Sequence, residues 1–206
     1  MSIMREFLRR PQLTGAVAPS SATLAQAMTA GLDLEHADVV VELGSGTGAI
    51  TEAIRRRLAP GARLVAVELN PVFARRLADR YRGSTVEVVH GSAEDLSALV
   101  PHPVDAVVSG LPWTVMPHER QRRILDAVTG VLSADGRFST FAYVHAARTP
   151  PARRFAAELA TRFSTVERSR AVWPNLPPAY VHRAFTPIHR PLPTPTTRTL
   201  QNRSTP

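Results

Sequence analysis

The segment Val39-Val40-Val41-Glu42-Leu43-Gly44-Ser45-Gly46-Thr47-Gly48 joins an apolar run to an acid and three glycines spaced two residues apart. The apolar run predicts a β-strand that is buried on both faces. Glycines let the backbone turn sharply and lie against a ligand, and the start of the next helix offers free N–H groups to an anion. The segment therefore predicts a strand–loop–helix unit that binds a nucleotide-like cofactor, with a turn that serves only packing as the alternative.

Strand-like and helix-like segments alternate on both sides of this unit. Continuous apolar runs predict strands at 39–41, 64–67, 86–89, 105–108 and 137–143. Amphipathic runs predict helices at about 20–30, 49–58, 71–81, 93–99, 117–132 and 151–161. Apolar strands that alternate with amphipathic helices are typical of a parallel sheet covered on both faces.

The alternation stops near the end, where two strand-like runs, Ser164 to Trp173 and Ala179 to Thr186, follow one another. The link Pro174-Asn175-Leu176-Pro177-Pro178 is too short for a crossover helix, so this pair must be antiparallel. The predicted fold class is therefore α/β, with a Rossmann-like sheet of seven strands that is mostly parallel and ends in an antiparallel hairpin.

Two features favour S-adenosylmethionine (SAM) over a dinucleotide as the cofactor. The glycines follow an acid with G-x-G-x-G spacing rather than G-x-G-x-x-G, and the closing hairpin looks like that of a methyltransferase sheet. Glu68 ends the second strand, where a carboxylate accepts from ribose hydroxyls, with helix capping as the alternative. Ser92, where SAM enzymes usually have Asp, is predicted near the adenine. The predicted cofactor contacts are Glu42, Gly44, Ser45, Gly46, Gly48, Glu68, Leu69, Ser92, Ala93 and Ser109.

The segment Ser109-Gly110-Leu111-Pro112-Trp113 follows the fourth strand. Amine methyltransferases often have Asn-x-Pro-Tyr here, so Gly110 stands where an Asn side chain would hold the target nitrogen. The face of Trp113 suits a cationic amine, and a tryptophan that only fills the core is the alternative. The predicted catalytic residues are Gly110, Leu111, Pro112, Trp113, Tyr143 and Tyr180.

The sequence contains neither a strong general-base motif nor the ligand spacing of a metal site. Candidates for accepting the proton of the amine are Tyr143, His145, Tyr180 and His182, although a lone histidine is more often structural than catalytic. We therefore predict methyl transfer that depends on alignment and desolvation, without a metal.

The formal charge is +8, and all 25 basic residues are arginine. An arginine-rich surface favours anionic partners, of which nucleic acid and anionic membrane are the two main candidates. Cysteine is absent, which excludes disulfides and cysteine–zinc sites. Neither a membrane span nor a signal peptide is predicted, so a cytoplasmic, soluble or membrane-peripheral protein is expected.

Three parts are predicted along the chain. Residues 1–12 read as a basic amphipathic helix that either lies in a membrane interface or packs on the body. Residues 13–186 form the catalytic domain, and residues 187–206, rich in Pro, Thr and Arg, are expected to be a disordered tail. The predicted membrane contacts of the first part are Ile3, Arg5, Phe7, Leu8, Arg9 and Arg10.

Over residues 1–186 the chain resembles the bacterial phospholipid N-methyltransferases, which convert phosphatidylethanolamine to phosphatidylcholine. The matching segments are Thr14-Gly15-Ala16-Val17-Ala18-Pro19-Ser20-Ser21, the glycine loop, Ser109–Trp113 with Met116-Pro117, and Val172-Trp173-Pro174-Asn175-Leu176-Pro177-Pro178-Ala179-Tyr180-Val181-His182-Arg183. The resemblance implies a membrane-binding N-terminal helix. It also implies a lipid-phosphate site formed by Arg170, Tyr180, His182 and Arg183. The chain departs from the family pattern at Ser92, where an acid is usual, and in the tail after Pro187.

Alternatives to a phosphatidylethanolamine acceptor remain open. The family is similar to ribosomal RNA adenine dimethyltransferases, which makes adenine N6-methylation the next hypothesis. Against it stand the missing Asn at position 110 and the absence of a sizeable domain after the predicted hairpin. Methylation of an ornithine lipid or of a small amine, or a SAM-binding protein without activity, are the further alternatives.

Overall fold

A computed structural model describes residues 21–100 and 103–188. The strands are β1 Val39–Leu43, β2 Arg63–Glu68, β3 Val86–His90, β4 Val104–Ser109, β5 Leu132–Tyr143, β6 Phe163–Arg168 and β7 Ala179–Pro187. The helices are α1 Ala22–Thr29, α2 Ala49–Arg55, α3 Pro71–Arg80, α4 Leu96–Leu99, α5 His118–Val131 and α6 Pro150–Ala160. The predicted helix at residues 1–12 and nearly all of the predicted tail lie outside the described residues.

The seven strands form one sheet in the order β3-β2-β1-β4-β5-β7-β6. The first five run parallel, and β7 lies antiparallel between β5 and β6. This confirms the predicted fold class. The strand order reverses between β1 and β4, and in open α/β sheets ligands bind outside the carboxyl ends of the strands at such a switch point. Leu43 pairs with Val67 on one side and with Ser109 on the other, so the loops after these three strands open at one place.

Each face of the sheet packs against helices. One face carries α4, α5 and α6 over a core that contains Trp113, Phe138 and Phe155. The other face carries α1, α2 and α3 over a core that contains Met28 and Ile54. Because side chains alternate across a strand, neighbouring residues of one strand contribute to different cores. This alternation decides which side chains near the site meet.

The first strand of the predicted hairpin is shorter than expected. It ends at Arg168 instead of Trp173, and residues 169–178 form a loop with a single bridge between Val172 and Ala179. The ladder stops because the N–H of Val181 donates to the side-chain hydroxyl of Ser169, at 3.0 Å. Since the prolines of this segment have no N–H, the strand cannot resume.

The described chain begins at a helix cap that also fastens the loop 169–178. Ser21 caps α1 by accepting from the N–H of Leu24 at 3.1 Å. The N–H of Ser21 donates to Oδ1 of Asn175 at 3.0 Å, and Nδ2 of Asn175 donates to the carbonyl of Pro177 at 2.7 Å. Asn175 is buried although its neighbours are exposed. The loop therefore has a fixed position against the start of α1.

Truncating Phe155 tests the aromatic core under α6. Its ring is fully buried and stacks on Trp113 with 4.8 Å between ring centroids. We expect Phe155→Ala to lower the free energy of unfolding by about 3–5 kcal/mol in urea titrations, because it leaves a cavity in a packed core. Val72→Ala, at an exposed apolar position, serves as the control and should change it by less than about 0.5 kcal/mol. Equal effects of the two substitutions would contradict this packing.

Candidate functional site

The glycine loop adopts a backbone that side chains disfavour. Gly44, Gly46 and Gly48 have φ values of 75°, 50° and 86°, in the left-handed region. The N–H of Gly44 donates to the carbonyl of Val67 at 2.9 Å, which fastens the loop to the neighbouring strand β2. The loop thus runs across the ends of β1 and β2 and leads into α2.

Glu68 connects this loop to the end of β2. Its Oε2 accepts from the N–H of Gly46 at 2.8 Å, and its Oε1 accepts from the N–H of Asn70 at 2.8 Å. Each carboxylate oxygen has a second lone pair, so the group can still accept from two ribose hydroxyls. The alternative role, capping of α3, belongs to Asn70, whose Oδ1 accepts from the N–H of Val72 at 2.9 Å. Glu68 is therefore available for the predicted ribose contact.

Glu42 is a completely buried acid beneath the glycine loop. Its Oε2 accepts from the hydroxyl of Thr51 at 2.5 Å, whereas its Oε1 has no hydrogen-bond partner among residues 21–100 and 103–188. Burial raises the pKa of Glu42 to about 7, the hydrogen bond from Thr51 opposes this, and the charge of Glu68 adds to it. The hydroxyl of Ser45 is also buried and unpaired within the described chain. These polar atoms fit the charged methionine end of SAM, which would supply the missing partners.

The predicted adenine loop lies next to Glu68. The N–H of Gly91 donates to the carbonyl of Glu68 at 3.1 Å, and the hydroxyl of Ser92 accepts from the N–H of Glu94 at 3.2 Å. Ser92 thus caps a short 3₁₀ turn and keeps its own O–H free to donate. Ala93 is buried, while Leu69 exposes 55% of its surface at the same edge. An exposed Leu69 offers an apolar surface to an adenine ring.

Gly110 lies directly against the glycine loop. An added Cβ at Gly110 would stand 2.9 Å from the carbonyl oxygen of Gly44, closer than real Cβ atoms approach. The position therefore excludes the Asn side chain of the amine methyltransferase pattern. Of the five carbonyl groups from Ser109 to Trp113, that of Gly110 is the one that no donor in the described chain reaches. A free carbonyl here can accept from a substrate N–H.

Two residues predicted in this segment have structural roles instead. Trp113 is 1% exposed and lies between Phe155 and Phe138, so its face does not reach a substrate and the core alternative is correct. Ser109 is fully buried, and its hydroxyl accepts from Nε1 of Trp113 at 3.2 Å and from the N–H of Leu111 at 3.3 Å. Ser109 therefore holds the turn and does not face the cofactor.

Gln121 was not predicted, although it supports this turn. It is buried in α5, and its Nε2 donates to the carbonyl of Trp113 at 2.5 Å and to that of Met116 at 3.0 Å. A glutamine on an amphipathic helix gives no sequence signal of such a role. Leu111 and Pro112 are partly buried and remain at the site, and Leu111 contacts the glycine loop at Gly44.

The predicted phosphate-binding residues do not form one cluster. Strand alternation places Tyr180 and His182 on the face of the sheet that carries α6, while Arg183 points to the face that carries α1. The guanidinium of Arg183 donates to the carbonyls of Ala30, at 2.6 Å, and Ala27, at 2.8 Å. Arg183 therefore caps α1, and the expectation that it binds lipid phosphate is wrong for this structure.

The remaining basic and aromatic candidates lie near the start of β7. Arg168, which was not predicted, lies over the ring of Tyr180 at 4.9 Å, and Arg170 is exposed in the next loop. Burial, with the nearby charge of Arg168, lowers the pKa of His182 to about 4. A base that weak accepts little proton at neutral pH.

Tyr143, the last residue of β5, lies across the sheet from His182. Its ring stacks on His145 at 5.6 Å and meets Phe141 edge-on at 5.4 Å. Burial raises the pKa of Tyr143, so its hydroxyl stays protonated and can donate a hydrogen bond but not serve as a base. The site thus brings together Glu42, Glu68, Ser92 and Gly110, with Tyr143 at its margin.

Two further properties concern only the part of the chain that the structure describes. In residues 21–100 and 103–188, no group of three or more His, Asp or Glu side chains is arranged to hold a metal ion. Within the same ranges, the helices are too short or too polar to cross a bilayer.

The strand order, the glycine loop and Glu68 together define a methyltransferase-type cofactor site, and comparisons with known proteins agree. A family model described as "Methyltransferase domain" matches residues 40–136. An ornithine lipid N-methyltransferase from Singulisphaera acidiphila is 37% identical over 139 residues, which cover 65% of this chain and 72% of that protein. The chain belongs to the class I SAM-dependent methyltransferases, and SAM is its cofactor.

Further matches are ribosomal RNA methyltransferases by sequence and an N-methyltransferase by structure. A ribosomal RNA small subunit methyltransferase A from Kineococcus radiotolerans is 43% identical over 88 residues, but the match covers 40% of this chain and only 28% of that protein. The structure of the N-methyltransferase NodS from Bradyrhizobium japonicum, in complex with S-adenosyl-l-homocysteine, superposes with a TM-score of 0.59 at 18% identity. This superposition covers 81% of this chain and 84% of the other, and supports the fold.

Replacing Glu68 tests the ribose contact. We expect Glu68→Ala to weaken SAM binding at least about 100-fold in calorimetry, because two charge-assisted hydrogen bonds are lost. Glu87→Ala is the control, since Glu87 is an exposed acid on β3 that pairs only with Arg63 in the described chain. Unchanged affinity in Glu68→Ala would remove Glu68 from the cofactor site.

Replacing Glu42 tests the pKa at the base of the loop. Between pH 4.5, the ordinary pKa of a glutamate, and about pH 7, the folded protein keeps a proton on Glu42 that the unfolded chain has released. Stability conferred at this site therefore falls as pH rises through that window and is constant above it. Without SAM at pH 8, Glu42→Gln should raise the free energy of unfolding above that of the parent protein by on the order of 3 kcal/mol, and therefore also raise the unfolding temperature.

The margin should disappear at pH 4, where Glu42 is protonated in both states. Thermal unfolding of both proteins at the two pH values measures it, and a difference independent of pH would contradict a raised pKa for Glu42.

Proposed function

We propose that the protein transfers methyl groups from SAM to the amine of a phospholipid head group, from phosphatidylethanolamine towards phosphatidylcholine, at a membrane surface. The observation that carries the proposal is the free carbonyl of Gly110 beside the glycine loop. A carbonyl oxygen accepts from the N–H of an amine and so can orient its nitrogen. The likeness to an ornithine lipid N-methyltransferase, over 72% of that protein, supports a lipid amine as the acceptor.

The residues of the site act mainly by positioning. SAM, when bound, supplies an electrophilic methyl group, which the amine nitrogen attacks as the bond to sulfur breaks. Glu68 and the glycine loop would hold the ribose and methionine parts, and Gly110 would accept from the amine. Alignment of two reactants in one site replaces an encounter in solution, which supports large rate increases without covalent chemistry by the protein.

Proton removal is assigned to solvent. The pKa of His182 is lowered to about 4, and the raised pKa of Tyr143 keeps its hydroxyl protonated. A general base works best with a pKa near the working pH, and neither group meets that requirement. The amine therefore reaches the site as the free base, and Tyr143 keeps a supporting role as a hydrogen-bond donor.

Adenine methylation in ribosomal RNA is the second candidate. It is supported by the ribosomal RNA methyltransferases among the relatives, one of which is 29% identical over 119 residues. That match covers 39% of the relative, so it supports a shared cofactor domain more than a shared acceptor. Exclusion of a side chain at position 110 further favours a flexible aliphatic amine over a base that must be held in one plane.

Parallel acceptor assays decide between these substrates. Purified full-length protein with methyl-labelled SAM is offered phosphatidylethanolamine vesicles, ornithine-lipid vesicles, ribosomal RNA and free ethanolamine. We expect label in phosphatidylethanolamine, because the acceptor amine is presented at a surface, and background counts with Glu68→Ala. Label in RNA alone would overturn the proposal. Label in ornithine lipid alone would mean that the acceptor is a lipid amine, but not that of phosphatidylethanolamine.

A further inference from the structure

The described chain has six exposed large apolar side chains: Leu69, Val72, Val115, Trp173, Leu176 and Ile188. All but Ile188 lie at the edge of the sheet that holds the cofactor site. The first three follow the carboxyl ends of β2 and β4. Trp173 and Leu176 belong to the loop 169–178, which emerges at the same edge because Ala179 pairs with Tyr143 at the end of β5. Ile188, at the end of the antiparallel β7, lies at the opposite edge.

The loop 169–178 presents its two apolar side chains on a fixed backbone. Trp173 is 68% exposed and Leu176 is 82% exposed, the highest value in this set. Between them, Asn175 is buried and hydrogen-bonded to Ser21 and Pro177, and Val172 bridges to Ala179. A loop anchored in this way does not fold its apolar side chains inward. Exposed apolar clusters with such support mark surfaces that meet a partner or a bilayer.

The part of the chain that leads into this loop and follows it carries positive charge without acidic partners. Residues 144–188 include seven arginines and two acids. Of these arginines, Arg162 alone pairs with an acid of the described chain, and Arg183 donates to backbone carbonyls. The other five make no ion pair there: Arg148, Arg153, Arg154, Arg168 and Arg170. The segments outside the description, 1–20, 101–102 and 189–206, contain a single acid, Glu6, which could neutralise only one of them. By contrast, Arg57, Arg63 and Arg137 pair with acids.

We propose that the loop 169–178 is a membrane-docking element that inserts Trp173 and Leu176 into the interface of an anionic phospholipid bilayer. Indole rings favour the head-group region, leucine contributes apolar burial, and unpaired arginines attract anionic lipid phosphates. Docking at this edge turns the glycine loop and Gly110 towards the bilayer. The inference deepens the proposed lipid methylation and rests on it for its biological role.

The position of Ser21 supports a bilayer as the partner. Ser21 is hydrogen-bonded to the loop through Asn175, so the segment of residues 1–20, which the sequence predicts to contain a basic amphipathic helix, joins the described chain beside the loop. The same arginines would also attract RNA. An exposed aliphatic side chain such as Leu176, however, favours contact with a bilayer over contact with RNA.

Tryptophan fluorescence tests this directly, because the chain has two tryptophans, of which Trp113 is buried. Full-length protein is titrated with vesicles of phosphatidylglycerol and phosphatidylcholine, with and without brominated acyl chains. The emission should shift to the blue and be quenched by the bromines, as Trp173 leaves water. Trp173→Phe should abolish both changes, since only Trp113 then emits.

Matched variants measure the contribution of the loop to binding. Leu176→Ser should weaken vesicle binding about tenfold in co-sedimentation, and Ile188→Ser, an equally simple change at the opposite edge, should leave it unchanged. Neither residue belongs to the cofactor site, so SAM binding should remain normal in both. Co-sedimentation of the parent protein without a Trp173 signal would overturn the inference and leave lipid methylation intact.

Other outcomes separate the two proposals. Acrylamide that fails to quench Trp173 in the free protein would show that another part of the chain covers the loop, which contradicts docking. Quenching by ribosomal RNA but not by vesicles would assign the loop to nucleic acid. A blue shift with vesicles, without methylation of any lipid, would retain the docking surface and reject the proposed acceptor.

Discussion

The contact between the backbones of Gly44 and Gly110 is the constraint on which the site depends. It joins the loop after β1 to the loop after β4, where the strand order reverses and a crevice must open. Because Gly110 has no side chain, the two loops approach closely enough for the N–H of Gly110 to donate to the carbonyl of Leu43 at 2.8 Å. The carbonyl of Gly110 accepts from no donor in the described chain. Cofactor loop and acceptor group are thus parts of one backbone arrangement.

Buried polar groups under the loop complete this arrangement. Glu42 and Ser45 each have a side-chain oxygen without a hydrogen-bond partner in the described chain, and Glu68 already accepts from the N–H of Gly46. Such groups cost stability in the free protein, as the raised pKa of Glu42 shows. A ligand with matching donors would satisfy these groups. The buried polar atoms therefore lower the stability of the free protein and favour the state with ligand bound.

Much of the fold could be predicted because its signals are local. Apolar runs, glycine spacing and the short proline link determine strand type and direction, and the family comparison agrees with the cofactor they imply. The predicted roles that were wrong depend on which face a side chain takes or what lies above it. Trp113 is buried because α6 places Phe155 on its face, and Arg183 caps α1 because β7 alternates in register. Gln121 has no motif at all, since its partners are backbone carbonyls.

The hydrogen bonds that hold α1 have a consequence for synthesis of the chain. Ser21 bonds to Asn175 and the carbonyls of Ala27 and Ala30 to Arg183, partners separated by 154, 156 and 153 residues. On a ribosome, α1 emerges before the other described elements, but its hydrogen bonds to Asn175 and Arg183 cannot form until β7 has also emerged. Contacts of such long range add late to the folding nucleus and slow its completion. Helix α1 is thus the last part of the sheet's cover to be secured as the chain is made.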